Sequence, residues 1–63
     1  MKWGKYNKAI TGFTEALKLS FENANNQYWN AHFYRRLGLV YYFKGDYINA
    51  SKNYLEAYKL SKT

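Results

Sequence analysis

LGLVYYFKGDYINASKNYLEAYKL, residues 37–60, sets two segments of helical spacing on either side of a Gly-Asp-Tyr turn. In the second segment Tyr47, Ala50, Tyr54, Ala57 and then Leu60 or Ser61 recur in steps of three and four, which places them on one face of an α-helix. The first segment does the same with Leu37, Gly38 and Tyr41. Gly45 suits the left-handed residue that ends a helix, and Asp46 has the short acceptor side chain that begins the next one. With no proline and few β-branched residues, the chain gives little ground for a sheet.

Working outward, the segment before the turn extends back as a helix over about residues 25–43, with Tyr34, Leu37, Gly38 and Tyr41 facing inward. Residues 20–27, SFENANNQ, are polar and Asn-rich and read as a connection, with Asn23 or Asn25 as the cap of that helix. Further upstream Tyr6, Ala9, Phe13, Ala16 and Leu19 form another helical stripe. The first and third stripes repeat. Gly4 superimposes on Gly45 at a shift of 41 residues, and Tyr6, Ala9, Phe13, Glu15, Ala16, Lys18, Leu19 and Ser20 then fall on Tyr47, Ala50, Tyr54, Glu56, Ala57, Lys59, Leu60 and Ser61. Internal repetition at this period points to a helical solenoid.

Composition bounds what such a chain can do. At 63 residues it is one domain, able to bury roughly 60% of its unfolded surface, so a lone core is marginal and partner surface is the remaining source of stability. There is no cysteine for a disulfide or a thiolate metal site, and one His with four acidic residues leaves little for a metal cage or a cofactor. No apolar run is long enough for a membrane span, and MKWGKYNK lacks the apolar core of a signal peptide. The formal charge of +6 favours acidic partners, but the basic residues are dispersed and only Arg35 and Arg36 are adjacent. Aromatic residues make up 22%, a fraction suited to cores and interfaces, and Tyr, the commonest of them, tolerates a half-wet site.

Tyr34-x-x-Leu37-Gly38-x-x-Tyr41, Gly45-Asp46-Tyr47, Ala50-x-x-x-Tyr54 and Ala57 together resemble the tetratricopeptide repeat. The resemblance covers one full repeat, residues 31–63, and the second half of a preceding one, residues 4–20. It implies an all-α chain of three helices, antiparallel pairs of a right-handed solenoid, in which residues 25–63 carry an extended first helix. The period is about seven residues longer than the usual 34, and the proline after the second helix is absent.

For function, the resemblance implies a non-catalytic module that binds proteins or peptides. By position its groove would present His32, Arg35, Leu39, Tyr42 and Phe43. The family's carboxylate-clamp branch is matched at Arg35 and Arg36 and departed from at His32 and Leu39. His32 has no acid within helical reach to orient it, so the residues of an acid–base constellation are missing. With the helix that should precede the first stripe absent, Ile10, Phe13 and Leu17 would face water. Self-association, most simply a homodimer, or neighbouring repeats of a longer array would cover them. The alternative function is nucleic-acid binding through basic and aromatic side chains. The expected compartment is the cytoplasm, in keeping with the absence of cysteine.

Overall fold

A computed structural model describes residues 2–23 and 26–62. They form three helices, α1 (Lys2–Asn23), α2 (Gln27–Lys44) and α3 (Tyr47–Lys62), and no strand is found among the described residues. α1 runs one turn further than its apolar stripe suggests. No helix breaker stands between Ser20 and Asn23, and the Phe21 ring repays the extra turn by meeting Tyr34 of α2 edge-on, centroids 6.4 Å apart.

The cap of α2 is Asn26, not Asn23, which is the last residue of α1; Asn25 lies outside the described residues. The Asn26 Oδ1 accepts from the backbone N–H groups of Tyr28 at 2.9 Å and Trp29 at 3.4 Å, satisfying two donors that the first turn leaves without partners. At the other end Gly45 takes φ 93°. Its N–H donates to the Tyr42 carbonyl at 3.0 Å, and the Asp46 N–H donates to the Tyr41 carbonyl at 2.9 Å, a paired closure that needs the left-handed residue. Asp46 then opens α3: its carboxylate accepts from the Asn49 side chain at 2.7 Å and from the Asn49 N–H at 3.3 Å. These two bonds hold the Asp46 carboxyl below its ordinary pKa, with Lys44 and Lys52 adding a smaller pull.

α2 lies between the other two helices, packed on both, while α1 and α3 make no contact with each other. Packing is antiparallel on both sides. Lys44 near the end of α2 donates to the Asn7 side chain near the start of α1 at 2.9 Å, and Gly38 of α2 meets Tyr54 of α3. The apolar core is correspondingly small: Leu17, Leu37, Ala50 and Ala57, with Asn30 buried beside them. The result is a slab of 35 × 21 × 12 Å whose thin dimension leaves each helix open on at least one side.

Candidate functional site: the groove between α2 and α3

On α2, Tyr28, His32, Arg35 and Leu39 advance in steps of three and four and share one face. On α3, Tyr54, Tyr58 and Ser61 do the same. Antiparallel packing sets these two rows opposite each other. Ala57 supplies little bulk between them, so the rows enclose a groove of 530 Å³ continued by a second hollow of 330 Å³, with Arg35 and Tyr54 shared by both. Three tyrosines, Tyr28, Tyr54 and Tyr58, stand in the walls. Tyr28 is 72% exposed and Tyr58 60%, a large apolar area left in water.

The charge of the groove has one sign. His32, Arg35 and Arg36 line it, and none of its lining residues is acidic. Among the described residues the single ion pair is Lys59 with Glu56, at 3.4 Å, so Arg35 and Arg36 hold their charge with no carboxylate to meet it. His32 is embedded in rings, 5.8 Å from both Trp29 and Phe33, and Phe33 in turn stands 6.4 Å from Phe13 of α1.

Of the five residues that the resemblance assigns to a groove, His32, Arg35 and Leu39 line this one. Tyr42 and Phe43 lie beyond its end, where Tyr42 meets Tyr47 at 5.4 Å and Phe43 at 5.9 Å. Sequence reasoning missed the α3 wall. Tyr54 belongs to the repeat stripe and reads as core, yet it is 38% exposed, and Tyr58 follows it by four residues, a signal visible once α3 is known to flank α2.

The expectation that Ile10, Phe13 and Leu17 face water is corrected by the position of α2. It lies along that side of α1, burying Leu17 and half-burying Phe13 and Ile10. The open face of α1 is the opposite one, with Gly12, Glu15, Leu19 and Glu22 exposed.

Among the described residues no His, Cys, Asp and Glu cluster could hold a metal ion, and no helix is long and apolar enough to cross a membrane. Three helices, a capped turn and an open groove define an all-α repeat module. The tetratricopeptide repeat model matches residues 31–63, just over half of the chain, and the chain belongs to that family. The match covers α3 and α2 from its second turn, and leaves α1 outside it. No curated protein and no solved structure matches the chain. Repeats of this family generally mediate protein–protein interaction and are typically non-catalytic.

Proposed function

We propose that the chain is a non-catalytic protein-binding module whose α2–α3 groove receives an apolar segment of a protein that also carries carboxylates. The observation behind this reading is the juxtaposition of exposed Tyr28 and Tyr58 with Arg35 and Arg36, two cations that have no acidic neighbour. Tyrosine rings give contact area at little entropic cost, and the guanidinium forks suit bidentate recognition of carboxylates. A groove of this size on three helices offers less than the roughly 800 Å² per partner of a standard interface, so the affinity of one unit is low and rises when units act together. With no cysteine to oxidise, the cytoplasm is the compartment proposed for it.

A labelled amphipathic peptide with alternating Leu and Glu tests the reading by fluorescence anisotropy. Binding is expected, and Arg35→Ala with Tyr58→Ala should abolish it while leaving the helical circular dichroism intact. Binding that persists in the double variant would move recognition to another surface. Single-stranded RNA in the same assay supplies the competing outcome: an affinity for RNA that exceeds that for peptide and falls steeply with salt would replace the peptide reading.

A further inference from the structure

The repeat relation shows what kind of element the groove lacks. Phe13 and Leu17 of α1 are covered by α2, and at a shift of 41 residues they correspond to Tyr54 and Tyr58 of α3, which line the open groove. The same side of a repeat-equivalent helix is therefore covered by a helix in one place, where Leu17 is buried, and largely open in the other, where Tyr54 meets α2 at Gly38 and Tyr58 is 60% exposed. The missing occupant has the shape of a helix, and the lining residues require it to bring negative charge.

The chain itself carries such a helix. It has four acidic residues, and two of them, Glu15 and Glu22, stand seven residues apart on the exposed face of α1. Leu19, 56% exposed, lies between them, and Gly12 lies one turn before Glu15 with nothing within 4 Å of where a Cβ would stand. That face presents a leucine knob, a flat approach and two carboxylates. It also points away from α2, so docking it elsewhere leaves the chain's own packing undisturbed. Lys8 lies on the same face toward the N-terminus and exposed Lys18 stands at its edge, three residues after Glu15 and four before Glu22, so the carboxylates of the second half of α1 have one cation beside them.

We infer that the α2–α3 groove of one copy binds the exposed face of α1 of a second copy, with Leu19 seated among Tyr28, Tyr54 and Tyr58 and with Glu15 and Glu22 facing Arg35 and Arg36. This rests on reading the groove as a protein-binding surface and names its occupant. The contact is heterologous: each copy offers a groove at one side and an α1 face at the other, so association does not stop at two. A two-fold pairing of grooves would bring Arg35 and Arg36 of both copies together, and α2 contains no acidic residue to offset them. Apolar burial supplies the affinity, and the charges set which faces meet.

Sedimentation velocity of the 63-residue chain over a micromolar concentration series tests this. The expected result is a weight-average mass that climbs past the dimer and falls again as salt is raised. Arg35→Glu with Arg36→Glu opposes acid to acid, and Glu15→Arg with Glu22→Arg opposes base to base, so each pair alone should lose the heavier species. Mixed together, the two variants restore both complementary contacts and should recover it. Arg35→Gln and Glu15→Gln, milder changes, should weaken association in the same direction if a reversed variant fails to fold. A monomer throughout, a mass that halts at the dimer, or association indifferent to the reversals would overturn the inference. A monomeric chain that still binds the Leu/Glu peptide through Arg35 and Tyr58 would leave the groove its function and remove only this occupant; a chain that does neither loses both.

Discussion

At Gly38 two helices approach closely. A Cβ built there would stand 3.0 Å from two atoms of the Tyr54 ring and 3.1 Å from a third, tighter than side chains tolerate without movement. Since Tyr54 is part of the groove wall, packing and function meet at this one pair. Gly38→Leu should overpack the site and cost about 1–3 kcal/mol, read as a lower melting temperature, and part of that loss should return in a Tyr54→Ala background. An unchanged melting temperature would contradict the close approach. Four residues before Gly38 the half-buried Tyr34 reports on the same packing from another side. Burial, and secondarily the Glu56 carboxylate, push its phenol above the ordinary 10.0. The fold therefore disfavours the phenolate. The corresponding stability is complete below 10.0 and drains away as pH rises through the raised value. Tyr34→Phe, which cannot ionise, should shift alkaline unfolding to higher pH, followed by circular dichroism; the same transition in both proteins would deny Tyr34 that role.

The elements differ in how much of their chemistry is local. The turn between α2 and α3 is legible because Gly45 and Asp46 each do something that few residues can: one takes a left-handed φ, the other accepts from Asn49 two bonds that open a helix. Gly45→Ala should cost about 1–2 kcal/mol, seen as a lower denaturant midpoint, although open space surrounds the position. The cost comes from the backbone and not from a clash, so Gly45→Asn should lose less than Gly45→Ala. At the other connection several Asn residues compete, all equally suited to cap. Only the docking of Phe21 on Tyr34, which carries α1 to Asn23, hands that role to Asn26.

At the scale of the molecule, a net charge of +6 sits on a slab with four buried apolar side chains among the described residues. Self-repulsion opposes such a fold, so added salt should raise the melting temperature of the dilute chain by screening. In concentrated samples the same salt also screens Glu15 and Glu22 from Arg35 and Arg36. The gain in melting temperature should therefore shrink or reverse as protein concentration rises. A salt response identical at all concentrations would leave self-association without an electrostatic part. Large apolar side chains remain exposed along α3, Ile48 and Leu55 among them.

Helical periodicity, a left-handed glycine and the 41-residue repeat are properties of single residues or of one helix at a time. They were enough to determine three helices, the α2–α3 turn, the burial of Leu37, Gly38, Ala50 and Ala57 and the family. Which side of a helix meets which neighbour is a property of two helices together, and the tertiary structure alone decided it. A stripe shows that α1 has a face to bury. That α2 takes the face with Leu17 and leaves Glu15, Leu19 and Glu22 in water follows from how the two helices dock. The groove was half legible for the same reason: His32, Arg35 and Leu39 lie on one helix in sequence register, whereas Tyr54 and Tyr58 join them only because an antiparallel partner brings residues about twenty positions away alongside.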